Sequence, residues 1–474
     1  VISRRTTVRQ VSSSARDDRH FDLAVIGSGS ANSIIGPEFA DQRVALIESG
    51  TFGGTCLNVG CIPTKMYVYP ADLARSVRSD AARLGVDASI QRVRWADLRD
   101  RIFGRIDPIS ANGRAYRQEA RNTTLFEAEA RFTGQRELAL STGERITADQ
   151  IVVAAGSRAV VPDVVADSGA GFHTSDTVMR IDDVPERVAI LGGGYIAAEF
   201  AHVFSAFGAH TTLVARSPVL LRKLDADIAR AFSIQAARQW HVRLGHQVVA
   251  LHEDRHGIHL TMDDGSSVTA DLLLVAAGRV PNGDRLDLPA AGIRTHGDGR
   301  IVVDEFQRTS VPGVWALGDV SSKHMLKHVA NHEARTVAHN LLHPEDLVAS
   351  DHRFVPSAVF THPQLASVGL TEAQAAQAGP YVAVTQPYGS TAYGWAMDDT
   401  ESFCKLIASP STGRLLGAHL LGEQAATLIQ PLIQAMSFDQ PIADLARGQY
   451  WIHPALTEVV ENALLQLHLG DVKG

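Results

Sequence analysis

The chain has 474 residues, 45% apolar and 20% charged, which is room for about three domains at roughly 150 residues each. Its formal net charge of −8 excludes a general nucleic-acid binder, which needs basic excess to neutralise phosphates. Three cysteines exclude a disulfide-rich scaffold, and the longest apolar run, Val188–Phe207, is broken by Glu199 and His202, so no membrane association is expected.

Residues 1–20 are rich in Ser, Thr and Arg and lack the apolar core of a secretory signal. A disordered extension is expected there in preference to a transit peptide, with the folded chain starting at Phe21. Phe21–Gly27 reads as a buried parallel strand. Gly27-Ser-Gly29-Ser-Ala-Asn32 follows, then a helical stretch, then a second apolar strand, Val44–Glu48, whose acid stands 19 residues after Gly29. Strand, glycine loop, helix and acid together form a dinucleotide fingerprint. Gly27 and Gly29 permit a tight turn and close approach of a pyrophosphate to a helix N-terminus, and Glu48 can bind ribose hydroxyls. Asn32 replaces the third glycine, so wider helix–strand packing is expected.

The next segment is Phe52-Gly-Gly-Thr-Cys56-Leu-Asn-Val-Gly-Cys61-Ile-Pro-Thr-Lys65. Two cysteines five residues apart, in a glycine-interrupted loop entering a helix, allow a small strained disulfide ring of the labile, catalytic kind. A helix N-terminus and Lys65 favour the thiolate. No second Cys pair or spaced His pair accompanies them, so no metal site is expected.

Ile151–Gly156 is a buried strand closing on Gly156. The fingerprint then recurs as Arg187-Val-Ala-Ile-Leu-Gly192-Gly-Gly194-Tyr-Ile-Ala197, followed by the strand His210–Arg216. Here Ala215 and Arg216 stand where an acid belongs, and Arg222 follows. Two guanidiniums in place of a carboxylate suit a 2′-phosphate, so the second unit reads as a site for NADPH. Leu272–Gly278 closes this unit, which interrupts the first. Gly313–Asp319 is a further strand, with Asp319 at its carboxyl end suited to a ribityl hydroxyl. From about residue 350 the apolar alternation of 357–360, 403–407 and 415–421 alternates with helical stretches and carries no third fingerprint. Cys404 falls in this part and reads as a core thiol.

The stretch Gly53–Lys65, together with His453-Pro-Ala-Leu-Thr-Glu458, resembles the flavin-dependent pyridine nucleotide–disulfide oxidoreductases, the family of glutathione reductase and lipoamide dehydrogenase. The resemblance covers residues 21–468 or so. It implies an α/β fold of two Rossmann-like domains, the NADPH domain inserted in the FAD domain, plus a C-terminal α+β dimerisation domain. The expected boundaries are 1–20 for the extension, 21–159 with 281–349 for FAD, 160–280 for NADPH, 350–468 for the interface and 469–474 for the tail. FAD is expected on Gly27, Gly29, Glu48, Thr55, Lys65, Ala130, Gly156 and Asp319, and NADPH on Gly192, Gly194, Arg216, Arg222 and Gly278. The resemblance also implies a Cys56–Cys61 redox disulfide. Cys61 is then the flavin-side sulfur, and Cys56 attacks a small-molecule disulfide. Lys65 and Glu199 form an ion pair near the nicotinamide and flavin. In a homodimer, His453, held by Glu458, acts as acid and base on the partner subunit's cysteines.

Relatives with a second redox pair at the C-terminus are disfavoured, because Cys404 is the last cysteine. The flanking words Lys65-Met-Tyr-Val-Tyr-Pro-Ala-Asp72, Leu326-Lys-His-Val-Ala-Asn-His-Glu-Ala-Arg335 and Gly448-Gln-Tyr-Trp-Ile-His-Pro454 resemble the branch that reduces mycothione, the disulfide of mycothiol. Reduction of glutathione disulfide or lipoamide is the alternative. Tyr67, Tyr69 and Trp95 are candidates for a substrate cleft or for the core. Lys327 and His328 replace a Thr-Pro of glutathione reductase and, with His332, have no role assigned. A cytoplasmic location is expected. A scaffold role in a multienzyme complex and a thiol-based metal-binding role lack a carrier segment and a ligand set.

Overall fold

The computed structural model describes residues 19–467; the expectations for the extension up to residue 18 and for the tail lie outside the described residues. The first strand runs His20–Ile26 and lies between Val44–Glu48 and Arg145–Val153, parallel to both. Thr123–Glu127 extends the sheet beyond Val44–Glu48, and Val314–Ala316 pairs with Arg145–Val153. The central strands are buried along almost their whole length, as parallel strands covered on both faces must be. The hairpin Ala130–Gly134 and Glu137–Leu140 folds back antiparallel on the early half of Arg145–Val153.

The chain leaves this unit through Ser157–Ala159 and returns through Arg279–Pro281, and these two segments pair antiparallel. A two-stranded ribbon thus ties off the insertion. Inside it, His241–Leu244, His210–Ala215, Arg187–Leu191 and Leu272–Val275 form a parallel sheet. A meander of Val248–Asp254, Gly257–Met262 and Ser267–Ala270 joins it. The last unit is a five-stranded antiparallel sheet, ordered Ser357–Val359, Leu365–Gly369, Arg414–Leu421, Phe403–Ser409 and Val382–Pro387. Helices Gln430–Ser437 and Thr457–Gln466 pack on it through Leu432, Met436, Val460 and Leu464. Cys404 is fully buried in this core, which pushes its thiol pKa far up.

One expectation needs correction, and one open alternative is decided. The helix expected behind Gly29 is absent: Ser30–Ile34 and Pro37–Phe39 are short 3-10 turns. Gly36-Pro37 breaks the segment, and Ser30, Asn32 and Ser33 are poor helix formers. Buried Arg117, from the long helix Trp95–Glu119, takes over the carbonyls an α-helix would have used. It donates to Asn32 Oδ1 (2.8 Å), Asn32 O (2.8 Å) and Ile35 O (2.9 Å). Asn32 thus serves as an acceptor for Arg117. The open alternative concerns the aromatics. Tyr67 and Trp95 are buried and stacked at 4.6 Å, with hydroxyl and indole N–H donated to Met179 O and Ile181 O. Only Tyr69 of the three is exposed.

A buried cation joins the inserted unit to the last one. Lys405, 3% exposed, contacts Asp225 (2.9 Å) and Asp227 (2.6 Å) at the start of helix Ala226–Gln239, and also Glu372. No helix among the described residues is long and apolar enough to cross a membrane.

Candidate active site

The carboxyl ends of the first sheet open onto a cleft of about 620 Å³. It is lined by Gly27, Gly29, Glu48, Thr55, Cys56, Cys61, Lys65, Ala130, Gly156, Glu199 and Asp319, which brings together every residue expected for FAD and both expected cysteines. The glycines are required by closeness. A Cβ on Gly27 would stand 2.3 Å from Ala154 O, and one on Gly54 would stand 2.8 Å from Gly29 Cα. The Glu48 carboxylate accepts from Ser28 N–H (2.8 Å), Ser28 Oγ–H (2.6 Å) and Gly50 N–H (2.7 Å), which fixes it at the strand end. Asn58 lines the same cleft, and its buried Oδ1 has no hydrogen-bond partner among the described residues. Cleft size, glycine loop, acid and unmatched acceptor fit an extended dinucleotide of the FAD type.

Asp319 is raised above the usual carboxylate range by burial and steadied by Ser157 Oγ at 2.6 Å. Arg279 in turn donates to Ser157 Oγ (2.8 Å) and Ser157 O (2.7 Å). Ser157 and Arg279 belong to the tying ribbon, so its geometry holds the acid in place. Sequence reading missed both; neither lies in a fingerprint, and their meeting depends on ribbon pairing. It also missed Tyr195, which follows the second glycine loop, lines the cleft, and has its pKa pushed by burial to about 12.

Cys56 sits on the short helix Gly54–Asn58, and Cys61 opens the helix Cys61–Arg75. Gly60 between them has no room for a side chain: a Cβ would lie 2.8 Å from Thr55 O. The structure describes the dithiol form of the expected redox pair, in which Cys56 and Cys61 are both thiols. The two are hydrogen-bonded partners with opposite behaviour. The hydrogen bond from Cys56 brings Cys61 down to about 6, and Lys65 helps, against the cost of burial. The same bond, with burial, pushes Cys56 far up. Lys65 lies one helical turn after Cys61 and donates to both oxygens of buried Glu199 at 2.8 and 2.7 Å, as expected. Phe360 N–H also donates to Glu199 (3.0 Å), and the Lys65 ammonium stands 4.7 Å from the Phe360 ring centre.

In the inserted unit, a Cβ on Gly192 would come 2.2 Å from Ala276 O, so that loop too requires glycine. Behind it runs a true α-helix, Tyr195–Ala206, starting after Gly194. Arg216 and Arg222 are exposed just beyond the strand His210–Ala215, and Gly278 enters the ribbon with φ 134°. A basic pair without a carboxylate partner among the described residues, at that strand end, suits a 2′-phosphate.

His453 Nδ1 lies 2.7 Å from Glu458 Oε1. The His453 side chain is 70% exposed, and neither residue lines the cleft. His328 and His332 contact backbone, Pro356 O and Asp351 N respectively. Lys327 lines the cleft. Among the described residues, two groups have three ligand-type side chains close together, His252–Asp254–His259 and His246–Asp263–Asp264. Neither lines the cleft, and His259 is already bonded to Asp254 and Thr269.

Residues 21–334 match the family described as pyridine nucleotide-disulphide oxidoreductase, and residues 355–464 match its dimerisation domain. The mycothione reductase of Mycobacterium tuberculosis is 55% identical over 457 residues, covering 94% of this chain and 99% of that one. A glutathione reductase of Burkholderia cepacia is 33% identical over 92% of this chain and 97% of its own. Among solved structures, the HOCl-induced flavoprotein disulfide reductase RclA of Escherichia coli superposes with a TM-score of 0.83 at 27% identity, over 94% of this chain and all of the other. Fold, cleft and comparisons agree: this chain belongs to the pyridine nucleotide-disulphide oxidoreductases.

Proposed function

We propose that the chain is an NADPH-dependent FAD enzyme that reduces mycothione to mycothiol. The observation that carries the chemistry is the asymmetric Cys56–Cys61 pair in a glycine-lined dinucleotide cleft, beside the Lys65–Glu199 ion pair. The substrate rests on the 55% identity to the M. tuberculosis enzyme, against 33% to the glutathione reductase. FAD, when bound, relays the two electrons of NADPH to the cysteine pair.

The chain's own residues then do the following. Glu199 anchors the Lys65 ammonium, and each charge neutralises the other in a partly buried place. Cys61 rests as the thiolate and accepts a hydrogen bond from Cys56. Cys56 holds its proton tightly, so it needs a base before it can attack, and His453 of the partner subunit takes that proton. Glu458 engages Nδ1 and leaves Nε2 to carry it. The Cys56 thiolate displaces one thiolate from the substrate disulfide, forming a mixed disulfide, and His453 returns its proton to the departing thiolate. Cys61 then attacks Cys56 sulfur, which releases the second thiolate and forms the Cys56–Cys61 bond. Two electrons have passed to the substrate.

The division into an FAD unit of 21–159 and 281–349, an NADPH unit of 160–280 and an interface unit of 350–468 belongs to this reading, as do the homodimer and a cytoplasmic location. It is supported by the ribbon where the two crossings meet and by the match to the dimerisation domain. The test is NADPH oxidation measured side by side with mycothione, glutathione disulfide and lipoamide, and repeated with NADH. Mycothione with NADPH is expected to give the highest kcat/KM. A preference for glutathione disulfide overturns the substrate and leaves the thiol chemistry standing.

A further inference from the structure

The two nucleotide units differ where a dinucleotide's phosphates bind. In the inserted unit, the 12-residue helix Tyr195–Ala206 stands behind the glycine loop and offers aligned peptide dipoles. In the first unit, a five-residue 3-10 turn and a three-residue one stand there instead. Turns that short sum almost no macrodipole, so this loop lacks the positive end that anion binding by such units relies on.

A cation occupies that place from elsewhere in the chain. Lys327 Nζ donates to Ser30 Oγ at 2.8 Å, across 297 residues of sequence, and lines the cleft with Gly27, Gly29 and Ser30. No carboxylate among the described residues lies within ion-pair distance of it. It is also badly placed for stability. It is the first residue of the 16-residue helix Lys327–Leu342, whose first turn has no acidic residue and no side-chain cap. A cation at a helix N-terminus is disfavoured by the dipole. An unpaired ammonium in a cleft, at the wrong end of a helix and held over a glycine loop, calls for an anionic ligand. Its field reaches Cys56, where it favours the thiolate.

We propose that Lys327 binds the diphosphate bridge of the dinucleotide in the first unit and supplies the positive charge that the missing fingerprint helix does not. The inference rests on the reading of that unit as the FAD site. Ser30 is its positioning partner, holding the ammonium over Gly29.

The test uses the full-length holoenzyme and its Lys327→Gln and Lys327→Arg variants. The readouts are the FAD dissociation constant at several salt concentrations, the flavin reduction potential and the melting temperature of the flavin-free protein. Lys327→Gln is expected to weaken FAD binding by about 10- to 100-fold, the range of one charge-assisted hydrogen bond. Its affinity should depend less steeply on salt than the wild type's, with the flavin potential unchanged and the flavin-free melting temperature equal to or slightly above the wild type's, because the cation is disfavoured at the helix N-terminus. Lys327→Arg should restore most of the affinity. Unchanged FAD affinity in Lys327→Gln overturns the proposal. So does a loss with the wild type's salt dependence, or one shared equally by Lys327→Arg. A shifted flavin potential would place the charge on the flavin ring and overturn it as well. A wild-type chain that holds no FAD would defeat the reading of the unit, a result separable from any difference between variants.

Discussion

Cys61 carries the negative charge of the dithiol pair, and the reason is local. It accepts the hydrogen bond from Cys56, opens a helix and has the Lys65 ammonium one turn away, while for Cys56 the pull of Lys327 and of the Cys61 backbone N–H is outweighed by its own hydrogen bond to Cys61 and by burial. In the two-electron-reduced enzyme, ultraviolet thiolate absorbance should therefore titrate near pH 6, well below an ordinary thiol. The sign follows from the hydrogen bond: the charged form is favoured, so the pKa falls. Cys56→Ala removes the donor and should move the titration upward while Lys65 keeps it below the ordinary value; an unmoved titration would assign the shift to Lys65 alone. The pair was legible in the sequence because a five-residue spacing on one loop is a local matter. The asymmetry between its members was legible only in part. Lys65 suggested a thiolate, but Glu199 lies 134 residues away, and which sulfur donates is a question of three-dimensional placement.

At the scale of elements, the first fingerprint shows what pattern alone leaves open. Strand, glycines and terminal acid all stand where expected, because buried β-runs and forced close approaches are strong local signals. The helix was expected because such units have one. Asn32 and Gly36-Pro37 were the contrary signal, and their meaning depends on Arg117, 85 residues from Asn32. Arg117→Met would leave the carbonyls of Asn32 and Ile35 buried without that donor. A loss of about 1–3 kcal/mol in unfolding free energy is expected, measured by urea denaturation, with faster loss of FAD on dilution. Unchanged stability would mean that water replaces the guanidinium. The choice between cleft and core for the aromatics was open for a similar reason. Tyr67 and Trp95 have backbone carbonyls for their polar atoms and so belong to the core.

At the scale of the whole molecule, the proposed catalysis reaches beyond one chain. His453 is largely turned to solvent, held by the mostly buried Glu458, and neither lines the cleft that holds the cysteines. Mixing inactive Cys56→Ser and His453→Ala chains tests their action across a dimer. If the histidine serves the partner, half the dimers are mixed and one of their two sites is intact, so roughly a quarter of wild-type turnover should return. No recovery after verified subunit exchange would put the histidine and cysteines of one chain together. Within the chain, the buried Lys405 cluster fixes the inserted unit against the last one. Removing one partner of such a cluster leaves charge uncompensated, so its integrity and the relative placement of the units are linked.

The sequence by itself determined the chemistry: a redox cysteine pair, two glycine loops that admit phosphates, an arginine pair in place of an acid, and a His-Pro-Glu segment. Each is encoded within a few residues, where glycine sterics, charge and spacing act directly. Only the tertiary structure decided the relations among distant residues. It turned the first fingerprint helix into 3-10 turns braced by Arg117, brought Lys327 to Ser30, set Arg279 and Ser157 behind Asp319, and put Lys405 among three carboxylates. These contacts depend on how sheets and ribbon pack, and the energy that selects them is spread over the buried cores and not carried by any one segment.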